Sequence, residues 1–591
     1  MGYAHEYAHA VLHRGRVPME PTDHVVDWDD GPRKGKFYPG APAFALPGTE
    51  DLADVPVAPG LLPDSVPARD ADRSPGFTVP LLSAMLRDSY GLTGRRLGIQ
   101  ANTDLPGLPF HTHANWSRGT AGGGGLYPMA VHWASGPSAP LTPGLHHYDV
   151  QRHALQRLLT GDVTDRVRDA LGADAPAEAL DTDQYLVLSV KYWQNSFKYN
   201  SFSFHVVCTD LGTLVQTWRI WAAPRGLRVA PVLWFDEPRL NELLGVRGEQ
   251  ETVFGVVPLH WAHKEPGGAR EPGTPDSGTP ESVTPALDTP EPAAPMDRRP
   301  RTDPRHRPAA RHRDAERSRR LLEFDALNAM HAATLAGATT RPAPGALAAA
   351  AATDTAPAPT ATGTAPASTA TTAIGTAPAT GTPHVPLPAP ALPGTGVRRA
   401  LRERRSSFGR FDARRRTGAG ELSAVLAACA QTRLAGDSDP SGGLRLARLY
   451  AFVNHVQDVA QGAYAYDPDR DELRLVHPGP QGEFLQRNYF LANYNLEQAG
   501  AVLVPTVRTT AVLDAVGDRG YRLAVGTAGA VAQSFYVAAA ALGLGAGVAL
   551  GFDNVSYAER LGLTESDEAP LLIMALGHER PGSADFRHEI A

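Results

Sequence analysis

Three short stretches carry side chains that could do chemistry. SRGTAGGGGLYP, Ser117 to Pro128, sets four glycines in a row, Gly122, Gly123, Gly124 and Gly125, ahead of a strand-like MAVHWAS. Without side chains a backbone can approach a flat or anionic ligand and aim its N–H groups at it; a flexible turn would use the same residues. RERRSSFGRF, Arg402 to Phe411, places Arg404, Arg405, Ser406, Ser407 and Arg410 before a helix start. Guanidinium forks bind phosphate oxygens bidentately and hydroxyls add neutral hydrogen bonds, with a solvated basic linker as the alternative. KYWQNSFKYNSFSFHVV, Lys191 to Val207, holds Lys198 and Tyr199 side by side, and from Ser201 onward it alternates like a strand. Neighbours on a regular strand face opposite ways, so a joint role for this pair needs a helical turn or chain reversal in QNSFKYN. Otherwise Lys198 is solvated and Tyr199 packs.

Other motifs are weaker. HEYAH, His5 to His9, matches H-E-x-x-H, but zinc chemistry needs a buried helix, a third ligand and a cleft, whereas this segment reads as a mobile terminus. HTH, His111 to His113, reads as a surface turn, and no metal site is expected. The run from Arg298 to Arg320 lacks interleaved aromatics and is studded with acids and prolines, which describes a solvated linker rather than a nucleic-acid patch.

The elements that must position these residues occur twice. At a shift of 318, Gly124-Gly125-Leu126 meets Gly442-Gly443-Leu444 and Tyr148-Asp149 meets Tyr466-Asp467; at 317, Gly212 meets Gly529, Gln216 meets Gln533 and Phe235-Asp236 meets Phe552-Asp553. Each copy starts with a helix-like run (VPLLSAMLRDSYGL; AGELSAVLAACAQT). It passes a Gly-rich loop and two strands ending in a Gly-x-x-x-Tyr-Asp turn, then a long helix around Gln216 or Gln533 and a last strand. Strands and helices mix without βαβ alternation, so the expected class is α+β. Two copies of about 190 residues suggest an intramolecular pseudo-dimer. The expected layout is an N-terminal extension over 1–65, domain 1 over 66–264, a linker over 265–400 and domain 2 over 401–591. The linker includes Ala/Thr/Pro/Gly tracts too polar to offset their ordering entropy, with a short amphipathic helix at about 314–337.

At 591 residues the chain exceeds one core. A net charge of -7 gives no reason to expect nucleic acid or an anionic membrane as partner. Two cysteines, Cys208 and Cys429, exclude a disulfide framework, and a reducing cytoplasm fits best. The uncharged run Leu523 to Phe552 is long enough to span a bilayer, but its repeat partner contains Arg219, Arg225 and Arg228, so it reads as a buried helix and strand.

The R-R-S-x-x-x-R-F run, the G-G-G-L-Y-P loop, the Tyr-Asp turn and the Gln helix (LGTLVQTW; AGAVAQSF) resemble the nitroreductase superfamily. With the KFYPGAPAFALP extension they are most similar to its SagB-type dehydrogenases of thiazole/oxazole-modified peptides, in the long tandem form of thiopeptide-like pathways. The resemblance implies FMN shared between two nitroreductase-like domains and oxidation of peptide thiazolines or oxazolines to azoles. It also implies an azoline-containing precursor peptide as substrate, YcaO/E1-like cyclodehydratase partners, and a catalytic Lys198-Tyr199 pair. Azoline oxidation needs a base opposite the flavin. Bringing tyrosine from near 10 to about 8 takes roughly 2.7 kcal/mol, and an ammonium about 4 Å away supplies on the order of 4 kcal/mol at an effective dielectric of 20. Ionised Tyr199 is therefore the expected base.

The copies differ. Copy two has the full Arg-Ser set against a remnant Arg73-Ser74, copy one has the full glycine loop against PSGGLRL, and AVGDRGYR stands where Lys198-Tyr199 would recur. One complete composite site, with one FMN per chain, is expected. Gly122 stands where relatives carry Ser, which puts one flavin hydrogen bond in doubt. The alternatives are a generic NAD(P)H-dependent nitro- or quinone reductase and a catalytically silent scaffold subunit of a peptide-modifying complex.

Overall fold

The computed structural model describes residues 2–48, 52–63, 75–98, 113–262, 308–351, 383–407, 409–434, 436–439, 442–491, 493–581 and 587–590. Its helices include α1 (Tyr3–His13), α2 (Val79–Ser89), α3 (Trp193–Tyr199), α4 (Ser203–Ala222), α5 (Glu237–Leu244), α6 (Asp325–Ala336), α7 (Val397–Glu403), α8 (Ala419–Ala430) and α9 (Gly520–Ala541). The fold is α+β, built from two large antiparallel sheets and a small three-stranded one.

The first sheet comprises β1 (Ala43–Ala45), β2 (Met129–Ser135), β3 (Gly144–Asp149), β4 (Ala154–Thr160), β5 (Gln184–Lys191) and β6 (Glu251–Pro258), in the order β1-β4-β3-β2-β5-β6. The second comprises β7 (His384–Pro386), β8 (Ala447–Val453), β9 (Gly462–Asp467), β10 (Glu472–Pro478), β11 (Ala501–Arg508), β12 (Gly545–Ala549), β13 (Glu568–Pro570) and β14 (Ile573–Gly577). Its order is β12-β14-β11-β8-β9-β10-β7, with β13 also on β11. Strands β2, β3 and β4 begin 318 residues before β8, β9 and β10, while β5 and α4 begin 317 before β11 and α9. The repeat in the sequence is thus a repeat of sheet and helix. The Tyr-Asp motif closes β3 and β9 as their last two residues rather than forming a turn.

Helices α4 and α9 pack on one another at the centre of the molecule. A methyl on Gly212 would collide with Gly526 O, and one on Gly529 would collide with Thr209 O. Residues 212 and 529, and residues 209 and 526, are repeat partners, so the two contacts are reciprocal, as at a two-fold interface. Helix α9 is long and apolar enough to cross a membrane, yet 94% of its most apolar window is buried within the protein.

One buried polar cluster between the halves centres on Glu237. Glu237, at the start of α5, accepts from Arg519 Nη1 at 2.9 Å and Arg522 Nη1 at 3.0 Å. Arg519 also donates to Leu233 O and Thr334 O, and Arg522 to Thr334 Oγ1. All three charges are at most 1% exposed, which is tolerable only because each is paired and hydrogen-bonded. Thr334 belongs to α6, which buries Leu327, Met330, His331 and Thr334. This helix begins at Asp325 rather than near 314, because residues 314–324 run without regular structure and Leu321 stays 47% exposed. The C-terminal strand Arg587–Glu589 pairs with Gly94–Gly98 of the first half.

Candidate functional site

Lys198 and Tyr199 form the last turn of α3, not the head of a strand. The alternating SFSFH run lies in a short 3-10 turn and in α4. That helix is buried on nearly every side, so no 3.6-residue polar period marks it and the short alternation misleads. Asn200 follows with φ 40°, reversing the chain. The N-terminal extension holds this turn: His24 Nε2 bonds Phe197 O at 2.8 Å, Asn200 Nδ2 donates to Pro21 O at 3.3 Å, and Ser201 Oγ donates to Glu20 O. Residues on a helical turn need not face opposite ways, and here the two tips converge. A Cβ built on Gly124 would strike the Tyr199 hydroxyl and lie 2.8 Å from Lys198 Nζ.

The glycine loop is ordered, from both halves of the chain. Gln533 of α9 accepts from Ala121 N at 3.0 Å and donates to Gly119 O at 3.1 Å, while Thr213 of α4 donates to Ala121 O. Gly123 N donates to Asp210 Oδ1 at 2.7 Å. Gly124 and Gly125 have φ 62° and 67°, a region that glycine enters without strain, and a Cβ on Gly125 would point into open space.

The arginine segment reaches the same place. Arg404 donates to Arg118 O at 2.8 Å and lies 5.3 Å from the Tyr536 ring, whose hydroxyl bonds Ser406 Oγ at 2.9 Å. The other members of that set are engaged elsewhere. Arg405 and Ser407 both bond the Glu579 carboxylate, and Arg410 donates to Pro581 O. Arg118, 4% exposed, sits 4.2 Å from the Tyr127 ring and donates to Lys34 O.

The charges here are unbalanced. Burial, then Arg118, holds Lys34 below its usual range; burial, then Lys34, does the same to Lys198. Burial pushes the Tyr199 phenol upward, and Asp210 pushes it further. The expected depression of Tyr199 by Lys198 is therefore corrected: burial and Asp210 set the direction upward, with the ammonium 4.8 Å from the ring centroid. Asp210 itself is raised to about 7 by burial, against the Gly123 N–H, and its Oδ2 is buried without a partner. Arg118 Nε and Arg404 Nε are likewise buried and unpartnered.

Arg118, Asp210, Gln533, Tyr536, Lys34 and Trp28, the last 61% exposed with its ring 5.9 Å from Lys198 Nζ, were not anticipated as site residues. Asp210 had a signal, since its repeat partner is Thr527. The related position in the other copy is depleted. Ala515 and Val516 replace the Lys-Tyr pair, and Gln216 donates to Ser534 Oγ while its Oε1 has no partner. The cavity beside Thr527 and Leu444 is about 10 Å3, room for one water. Arg73, Ser74 and His111 lie outside the described residues. HEYAH is on α1, not a loose terminus; His5 bonds Asp514 at 2.9 Å, and no metal-binding cluster of three ligands occurs among the described residues.

Residues 401–578 match the nitroreductase family, so the second half carries a nitroreductase-superfamily domain. A protein of Methanocaldococcus jannaschii, provisionally named a nitroreductase, is 33% identical over 141 residues, which is 22% of this chain and 64% of that protein. The chain thus spans less than two thirds of that relative's length. A crystal structure from Anabaena variabilis, given the same provisional name, superposes over 98% of this chain and 100% of its own, at 20% identity and a TM-score of 0.64, and shares the fold. The Escherichia coli microcin synthetase McbBCD complex with truncated pro-MccB17 bound overlaps 30% of this chain and 70% of its own, at 19% identity and a TM-score of 0.26.

Proposed function

We propose that this chain is a tandem, pseudo-dimeric FMN-dependent oxidoreductase with a single composite site, and that it oxidises peptide azolines to azoles. The observation that carries the reading is the convergence of Lys198, Tyr199 and the glycine loop of one half with Arg404 and Gln533 of the other, at one of two repeat-related positions. The residues fit an anionic, flat cofactor. Two guanidinium Nε groups are buried without partners, three cations crowd together, and the loop leaves open space at Gly125. Arg404 and Arg118 would hold the phosphate, and the loop would meet the ring system. Arg405 and Ser407, committed to Glu579, are poor phosphate ligands.

Bound flavin supplies a two-electron oxidant. The chain would supply the rest: Lys198 and Tyr199, whose tips meet at Gly124, would orient the substrate ring, and Trp28, 5.9 Å from Lys198 Nζ, would border it on the solvent side. The substrate class, a cyclised precursor peptide delivered by a cyclodehydratase, follows from the motif resemblance together with the family match of the second half.

The test measures flavin per chain and the loss of two hydrogens per ring from an azoline peptide. Lys198→Ala and Tyr199→Phe should retain flavin and lose at least about 10²-fold in azole formation. A flavin ratio near two sinks the single-site reading; unchanged NAD(P)H-driven turnover in both variants points to a generic reductase.

A further inference from the structure

We infer that the open cleft beside the Lys198-Tyr199 turn is a docking groove for a basic, extended segment of the peptide substrate. The inference rests on reading that pair as part of a peptide-modifying site, and adds where the peptide lies and what its flank must carry. The cleft, about 1220 Å3, is walled by α1, by residues 17–25 of the N-terminal extension and by residues 320–326 at the entry to α6. Small-molecule pockets are roughly 300–1,000 Å3. Its apolar lining includes Tyr3, Tyr7, Met19 and Phe324, with Val17 and Val25 68% and 85% exposed.

The charge on the walls is one-sided. Glu6 of α1, Glu20 and Asp23 of the extension, and Glu323 and Asp325 of the third wall face one guanidinium, Arg320; His9, His13 and His24 are the remaining basic groups. The five carboxylates belong to exposed residues, and none is in an ion pair among the described residues. Burial, then Glu6, then Asp325 raise the Tyr3 phenol, so carboxylates of two walls act on one spot. Lysine or arginine heads suit these carboxylates, and their stems and apolar neighbours suit the floor. The cleft also leads to the site. Ser201 lines it, accepts from Tyr7 Oη at 2.7 Å, donates to Glu20 O, and is two residues from Tyr199. Val25 lies three residues before Trp28, whose ring is 5.5 Å from that of Phe197 and 5.9 Å from Lys198 Nζ. Those separations are at most about 7 and 11 Å of extended chain. A peptide seated in the cleft can therefore present a ring about two to four residues away to Lys198 and Tyr199.

The test measures fluorescence anisotropy of labelled dodecapeptides, repeats of Lys-Leu-Gly, Ser-Leu-Gly or Glu-Leu-Gly, on the full chain. The lysine peptide should bind at least about 10-fold more tightly than the serine one, and more weakly as salt rises, while the glutamate peptide should not bind. Glu6→Lys combined with Glu323→Lys, at two exposed positions, should weaken the lysine peptide about 10-fold or more. Asp469→Lys combined with Glu483→Lys, an equal change in net charge away from the cleft walls, should not. With an azoline peptide carrying lysines beside the ring, the Glu6/Glu323 variant should show a raised KM at unchanged kcat. Equal binding of the three peptides, or unchanged affinity in that variant, overturns the inference. So does light scattering that shows a dimer which the variant splits, since a second copy would then fill the cleft. A wild type that binds the lysine peptide in this charge-dependent way and makes no azole defeats the assigned reaction and supports the groove.

Discussion

Gly124→Ala and Gly125→Ala separate backbone strain from placement of the Lys-Tyr pair. Both positions have φ between 62° and 67°, so each alanine costs roughly 1–2 kcal/mol as a left-handed residue. Beyond that they diverge. At Gly125 the new methyl meets nothing within 4 Å, whereas at Gly124 it strikes Tyr199 Oη and lies 2.8 Å from Lys198 Nζ. Reaching ordinary contact near 3.5 Å moves the ammonium by about 0.7 Å and the hydroxyl further. A misplacement of about 1 Å at reacting groups costs on the order of 10²-fold. Denaturant unfolding should therefore show similar losses for both variants, while azole formation at saturating flavin falls about 10²-fold in Gly124→Ala only. Gly125→Ala, filling the open space, should act through weaker flavin retention. Equal turnover in the two flavin-loaded variants would refute the placement of Lys198 and Tyr199 against Gly124.

Glu237 gives a pH-dependent stability. Burial would raise its carboxyl, but Arg522, Arg519 and His331 outweigh this and hold it at about 2, against 4.5 unfolded. Its stabilisation is present above 4.5 and is lost as pH falls toward 2, an amount of about 3 kcal/mol at 1.36 per unit. Glu237→Gln should remove that slope in urea melts between pH 5 and 2, and destabilise the protein at pH 7 by about 3–5 kcal/mol by leaving buried arginines unpaired. Arg404→Leu should weaken flavin retention about 10- to 100-fold, measured by fluorescence on dilution, and Arg405→Leu, whose native partner is Glu579, by much less.

Sequence alone determined the duplication and most of its elements. Offsets of 317 and 318 between matched residues are the offsets between matched strands, because residues that recur at fixed spacing fill equivalent core positions. It also drew attention to Lys198-Tyr199 and to the glycine and arginine stretches, whose compositions are unusual for packing. The start of α4 is not legible in the sequence, because a helix buried on nearly every side carries no amphipathic period and SFSFH imitates a strand over five residues. Tertiary structure alone decided the rest. Gln533 reaches Gly119 and Arg404 reaches Arg118 across more than 280 residues of chain. Glu579 engages Arg405 and Ser407, a pairing that their spacing does not announce. Burial keeps Tyr199 protonated and raises Asp210 to about 7. Proton affinities and partners depend on what desolvates a group and which charge lies beside it, and those neighbours come from distant segments that only folding brings together.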